Sequence, residues 1–406
     1  MSHTSQVLPA RPVAVSARPL RVAQVITKFT AGAGGITLRG AICLDPTRYR
    51  TTILAAQGGS LAGRAVEAGL DVVPLAHMRP DLSLRADIEG VGELTAHLAA
   101  GQFDIVHTHS AKAGAIGRIA AHRARVPAIV HSIHGFPFHE FQSRARRHAY
   151  LAIERRLARI TDYFLTDGTV VAAEAVRLGI APADRIRAIA SPVDDGIPAA
   201  TDAARRKARL LLGIPSDARV VGTAARLDRQ KAPLDMVRAI AEIGRRDVYM
   251  AWIGDGELRH RTERLIERKG LSDRFLLVGE RDDVATLLPA FDVFALSSLY
   301  EGLPCAAVEA MVCGIPVVAT AVNSVPEIVI SGQTGILARP GDPGSLAEAL
   351  RYVLDHPVQG ARMARRARSH VSERFRSEVL GRDLTEVYEE VVELTAPSPG
   401  AHRGKR

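Results

Sequence analysis

The sequence predicts an α/β protein of two doubly wound, Rossmann-like domains, and three observations carry that prediction. Short Val/Ile/Leu/Ala runs alternate with amphipathic stretches along the chain, the pattern of parallel strands covered by helices on both faces. The runs form two groups, separated by a linker rich in Ala, Asp and Pro, "IASPVDDGIPAATDAARRKARLLLG". At 406 residues, the chain is long enough for two separate cores.

Taken in order, a tail over residues 1–19 is broken by Pro and Arg and is expected to be disordered. The first domain, 20–195, takes its strands from "RVAQVIT", "TTILAA", "DVVPL", "FDIVHTH", "PAIVHSIH" and "DYFLT". After the first of these, Gly34 and Gly35 lie in a glycine-rich loop that feeds a helix, whose N–H groups suit a phosphate. As a dinucleotide fingerprint the loop is weak, because no acidic residue follows at the expected distance. The second domain, 196–372, takes strands from "RVVGTAA", "VYMAWIG", "RFLLVG", "VFALSS" and "GIPVVAT". Phe375, Leu380, Leu384, Val387, Tyr388 and Val391 recur at helical spacing, predicting a closing helix over 373–395 before a second disordered tail, 396–406.

Composition narrows the class. The chain is 47% hydrophobic yet has no uninterrupted apolar stretch of membrane-span length and no signal-peptide core, so a cytoplasmic enzyme is expected. Its three cysteines are an odd number without metal-type spacing, which predicts reduced thiols. Cys305 reads as a packing residue. Lys and Arg outnumber Asp and Glu by 53 to 44. No nucleic-acid module or aromatic stacking platform accompanies that excess, so nucleic acid is not an expected partner.

The chemistry concentrates in loops after the second domain's strands, the edge where open parallel sheets bind ligands. "SSLYEGLPCAAVEAM" sets Glu301 and Glu309 eight positions apart across a helix start that Pro304 can open as a first-turn residue. That spread, roughly 10 Å, matches the span from a sugar across a diphosphate to a ribose, with helix N–H groups between. Arg226 and Lys231 follow "RVVGTAA" and can neutralise a diphosphate without a metal. Gly254, in the "GDG" turn, permits close backbone approach, and Val278 with Gly279 ends a further strand on that edge. In the first domain His107, His109, His131, His134 and His139 cluster at two strand ends. Three readings stand for them: core histidines satisfied by hydrogen bonds, a zinc site with Glu140, or a reaction centre around His134. The spacing matches no helical zinc motif.

In this order, Arg226 with Lys231, the GDG turn and the glutamate pair resemble the donor half of family 4 retaining glycosyltransferases, over about residues 20–395. The resemblance implies the GT-B fold, with two Rossmann-like domains facing a central cleft, a nucleotide-sugar donor, no cofactor and no metal. It implies that Arg226 and Lys231 hold the diphosphate, that Glu301 meets the sugar hydroxyls and Glu309 the ribose. The backbone of Gly302, Leu303 and Pro304 would contact sugar and phosphates, the loop after Val278 would meet the base, and His134 would act at the reaction centre. Two departures stand out: Ala225 replaces a frequent glycine before the arginine, and Asn323 and Ser324 replace two glycines before Glu327. A narrower likeness, through "VHTHSAKAGAIGRIAAHRARVPAIVHSIHGFPFHEF", points to bacterial transferases acting on lipid-linked glycans in surface-polysaccharide assembly. His109 and Lys112 would then face the acceptor. A basic amphipathic helix carrying Arg144, Arg146, Arg147, Arg155, Arg156 and Arg159 would rest on an anionic membrane surface. The alternative function is a sugar-nucleotide epimerase or phosphorylase of the same architecture.

Overall fold

The computed structural model describes residues 18–396 apart from 31, 82, 137, 139–141 and 194–195. The expected terminal tails fall almost wholly outside that range, as do His139 and Glu140. Arg18 is an exception within the first tail, since its guanidinium forks onto Asp104 with both contacts at 2.8 Å.

Seven parallel strands form the first sheet: β1 (Leu20–Ile26), β2 (Tyr49–Ala56), β3 (Asp71–Leu75), β4 (Ile105–His109), β5 (Ala128–Ile133), β6 (Tyr163–Thr166) and β7 (Ile186–Ala188), in the order β3-β2-β1-β4-β5-β6-β7. Helices α1 (Ala33–Ile42), α2 (Ala62–Glu67), α3 (Leu84–Gly101), α4 (Ala111–Arg123), α5 (Arg144–Leu157) and α6 (Thr169–Arg177) connect them. The strand order reverses direction between β1 and β4, so a crevice opens beyond their carboxyl ends. His107 and His109 sit at that end of β4.

A second sheet repeats the plan with β8 (Arg219–Ala224), β9 (Val248–Ile253), β10 (Phe275–Gly279), β11 (Val293–Leu296), β12 (Val317–Thr320) and β13 (Ile336–Ala338), in the order β10-β9-β8-β11-β12-β13. Its helices are α7 (Asp202–Leu212), α8 (Pro233–Ile243), α9 (Arg259–Arg268), α10 (Val284–Leu287), α11 (Cys305–Cys313), α12 (Pro343–Asp355) and α13 (Pro357–Ser372). Much of the expected linker is therefore α7: Thr201 caps it by accepting from Ala204 N–H, and Ala208 and Leu212 join the second core. Ala and Asp in that segment favour a capped helix over an extended tether.

The last helix, α14 (Ser377–Thr395), returns to the first domain, where Leu380, Leu384, Val387, Tyr388 and Val391 pack against Val22, Ile105, Ala128 and Tyr163. Phe375 does not join them; it lies ahead of the helix and packs in the second core. Two glycines bring α14 close to α1: a Cβ on Gly381 would lie 2.5 Å from the Cys43 carbonyl, and one on Gly40 would lie 3.3 Å from Leu384.

That close approach yields a paired prediction. Gly381→Ala should destabilise the protein by about 1–3 kcal/mol through overpacking against backbone. Gly92→Ala in α3, where a Cβ meets nothing within 4 Å, should stabilise by about 0.5–1 kcal/mol. Chemical denaturation of both variants checks the contrast.

Candidate active site

The loops at the carboxyl ends of β8 and β11 build one half of the site. Lys231 Nζ lies 2.5 Å from Glu301 Oε1, with both side chains largely buried. Ser298 donates to the same oxygen at 2.6 Å, and Gln230 Nε2 donates to the Tyr300 carbonyl at 3.0 Å. Arg226 is not drawn into that pair: its side chain is 67% exposed, bound to Asp228 at 3.0 Å and to Gln230 Oε1 at 3.2 Å. Lys231 has three N–H donors, so contact with Glu301 leaves capacity for a phosphate.

Pro304 precedes α11 as its N-cap instead of occupying the first turn, with the helix beginning at Cys305. Gly302, Leu303 and Pro304 form the approach to that helix, and Glu309 lies in its second turn. Burial pushes the Cys305 thiol up to about 12, as suits a packing residue. The GDG turn explains its own glycines: a Cβ on Gly254 would sit 2.2 Å from the Ala225 carbonyl, and one on Gly256 would sit 2.6 Å from that of Leu227. Val278 packs at the edge of the second core. Asn323 takes the left-handed conformation, φ 41°, which Asn tolerates nearly as glycine does, and its Oδ1 accepts from Glu301 N–H at 2.9 Å. The departure from glycine therefore orients Glu301.

The other half is a buried chain of hydrogen bonds through the histidines. Gln24 donates to the Tyr388 hydroxyl at 3.0 Å, and the Tyr388 hydroxyl donates to His107 Nδ1 at 2.8 Å. His107 Nε2–H donates to Ser132 at 2.7 Å. In the other direction His109 Nε2–H donates to Gln24 Oε1 at 2.6 Å, so His109 Nδ1 accepts from His134 Nε2–H at 3.0 Å. His134 Nδ1 faces both Asp167 oxygens at 3.0 and 3.1 Å. His131 stands apart on Thr108 at 2.9 Å, and its ring explains Gly114, whose Cβ would meet it at 2.4 Å. Among the described residues no group of three His, Cys, Asp or Glu side chains is placed to hold a metal. Glu140, on which the zinc alternative draws, lies outside the described residues.

Lys112, expected to face the acceptor, is held by the neighbouring helix. Its ammonium pairs with Asp87 at 2.6 Å and reaches the Asp81 carbonyl, so it joins α4 to α3; a carboxylate on the neighbouring helix outcompetes solvent for the cation. Gly34 and Gly35 lie inside the first turn of α1 instead of in a loop. A Cβ on Gly34 would press at 3.0 Å on the Lys28 carbonyl.

The two halves touch at Gly302, where a Cβ would lie 2.4 Å from the His134 carbonyl and 3.5 Å from Asp167 Oδ2. A second bridge is Glu327, whose carboxylate accepts from the N–H groups of Thr169 and Val170 at the start of α6 at 3.1 and 3.0 Å, and which pairs with Arg374 at 3.2 Å. Burial works to raise the Glu327 pKa, but those N–H groups outweigh it and hold the carboxyl below its usual range. Asp167, Gln24, Tyr388 and the Glu327 contact were not anticipated from sequence. A strand-end carboxylate in "FLTDG" was the available signal for Asp167.

Residues 205–370 match the family described as glycosyl transferases group 1, and residues 31–192 the one described as glycosyl transferase 4-like domain. An Escherichia coli UDP-Gal:alpha-D-GlcNAc-diphosphoundecaprenol alpha-1,3-galactosyltransferase is 31% identical over 284 residues, 68% of this chain and 73% of that enzyme. A Mycolicibacterium smegmatis D-inositol 3-phosphate glycosyltransferase is 31% identical over 67% of this chain and 64% of that enzyme. In fold, Anabaena HepE, crystallised with UDP and glucose, superposes with a TM-score of 0.81 at 22% identity, covering 91% of this chain and all of that one.

The buried histidines make stability depend on pH. Burial, chiefly, lowers His107 from 6.5 to about 3 and holds His109 and His131 well below 6.5. Below about pH 6.5 the unfolded chain binds protons there that the native state refuses. Stability is therefore fully present above that pH and lost as pH falls, each histidine contributing up to about 1.4 kcal/mol per unit. Denaturation midpoints at pH 7.5 and 5.5 should differ in that direction; equal midpoints would contradict neutral burial.

Proposed function

The chain belongs to the group 1, family-4-like glycosyltransferases of GT-B fold, and on that footing we propose that it transfers a sugar, with retention, from a nucleotide-sugar donor to a lipid-linked glycan without a metal. The observation that carries the reading is the Lys231–Glu301 pair beside the start of α11, set against His134 across Gly302. Departure of a nucleoside diphosphate places negative charge on an oxygen, and a preorganised cation with helix N–H groups is the main physical means of stabilising it. Lys231, Arg226 and the first turn of α11 supply these groups. Glu301, fixed by Ser298 and Asn323, is placed to accept from sugar hydroxyls, and Glu309, one turn further, is assigned the ribose. The Escherichia coli relative, which acts on a GlcNAc-diphosphoundecaprenol, supports a lipid diphosphate acceptor. The relatives named above are transferases and lend the epimerase or phosphorylase alternative no support.

A lipid-linked acceptor calls for a membrane surface. Among the described residues no helix is long and apolar enough to cross a bilayer, so we assign contact to α5. Arg144, Arg146, His148, Arg155 and Arg156 are exposed on it, and Ile153 is half exposed. Its inner face is secured by Leu157 and by Glu154, which pairs with buried Arg118 at 2.8 Å. The reading places the protein peripherally on the cytoplasmic leaflet.

Lys231→Ala should fold and lose about a hundredfold or more in turnover, while wild-type transfer should persist in excess EDTA; near-normal turnover of the variant, or activity restored only by a divalent ion, would refute the assignment. Incubation of the wild type with a panel of nucleotide sugars and a polyprenyl-diphosphate glycan identifies the donor, and NMR of the product should show the donor's anomeric configuration retained.

Co-sedimentation with vesicles should rise with anionic lipid and fall near roughly 0.5 M salt through screening. It should also weaken in an Arg144, Arg146 and Arg156 triple alanine variant. Equal binding to neutral vesicles would remove the membrane contact and leave the transferase reading in place.

A further inference from the structure

We propose that Asp167 is the positioning residue of the reaction centre: its carboxylate and His134 Nδ1 share a proton that fixes the His134 ring and, with it, the carbonyl facing Gly302. The inference rests on the transferase reading and extends it to a residue not yet given a role.

The argument is an inventory of donors. Gln24 donates its amide N–H to Tyr388, so its oxygen is the acceptor for His109 Nε2–H. His109 Nδ1 must then accept, and its donor is His134 Nε2–H. That leaves His134 Nδ1 within 3.1 Å of both oxygens of a carboxylate. A lone pair facing a carboxylate is repulsive, whereas one proton between them makes a charge-assisted hydrogen bond. Both ring nitrogens are then engaged by protein, and the side chains are only 9% and 8% exposed. The His134 carbonyl faces Gly302 of the second domain.

The titratable groups packed around the pair are His107 and His109 from β4, His131 from β5, Cys305 from α11 and Glu327, whose carboxylate lies against Gly168 and is held below its usual range. The three histidines are held neutral by burial and the thiol is pushed up to about 12. None of them changes charge near neutral pH, so the field they exert on the Asp167–His134 pair is constant there.

The test uses full-length Asp167→Asn, which keeps the shape and removes the charge. Turnover should fall about tenfold or more, as when a carboxylate orienting a histidine is lost, with donor KM within about twofold. Because the Asn oxygen accepts from Nδ1–H without a charge, the Nδ1 proton resonance should move upfield as the charge-assisted bond is lost, a shift that a purely packing role would not produce. Introduced into His134→Ala, the same change should cost nothing further, since both act through one group. Unchanged turnover, an unshifted Nδ1 proton resonance or losses that multiply would each overturn the proposal. If Asp167→Asn does not fold, the proton can be sought in wild-type protein labelled with 15N-histidine, and an unprotonated His134 Nδ1 at pH 7 overturns it as well. A wild type that transfers from no nucleotide sugar would defeat the transferase reading instead.

Discussion

Everything at the cleft is arranged around one backbone contact, Gly302 against the carbonyl of His134, with no room for a Cβ between them. It joins the donor loop ahead of α11 to the end of β5. On one side stand Lys231 and Glu301; on the other stands the hydrogen-bonded chain from Asp167 to Ser132. Neither half holds the required groups alone. The strand order of each sheet puts its loops at the same edge, so the chemistry is produced by apposing two similar crevices.

The charges in that cleft are balanced before any ligand arrives. Lys231 is neutralised by Glu301 at 2.5 Å, and Arg226 by Asp228 at 3.0 Å. On the proposed assignment a diphosphate would meet cations already held in place, and the two pairs differ in what they would demand of it. The Lys231 pair is largely buried, so removing either partner strands a charge away from water. Arg226 is exposed, and its pair is worth little by itself. The buried pair thus fixes geometry, while the exposed arginine is able to swing toward a ligand.

Much of this was legible in the sequence because it is local. Long apolar runs gave eleven strands of thirteen; β7 and β13, three residues each, are too short for a periodic signal. The glutamates and their helix lie within one segment, and so do the GDG turn and the strand before it. What escaped depends on contacts distant in sequence. Asp167 reaches His134 from 33 positions away, and Tyr388 reaches Gln24 from 364. The partner of Lys112 escaped for the same reason, because a cation at a strand end reads the same whether it meets a ligand or Asp87. Phe375 was placed on the last helix because its spacing fits, yet it packs in the second core.

Chain connectivity sets the terms on which the two halves separate. The chain crosses between domains after β7 and again ahead of α14, so the domains are covalently joined at two places. Opening costs the Gly302 contact and the hold of Glu327 on α6. A carboxylate at a helix N-terminus is worth about 0.3–1 kcal/mol, and its two hydrogen bonds about 0.5–1.5 kcal/mol each, so the hold amounts to a few kcal/mol at most. Such an interaction closes the cleft without locking it. Because α14 packs in the first core and its Tyr388 bonds to Gln24 and His107, the buried histidine chain lies wholly within that domain's packing. The orientation of His134 is thereby set within one domain, independently of whether the other is engaged.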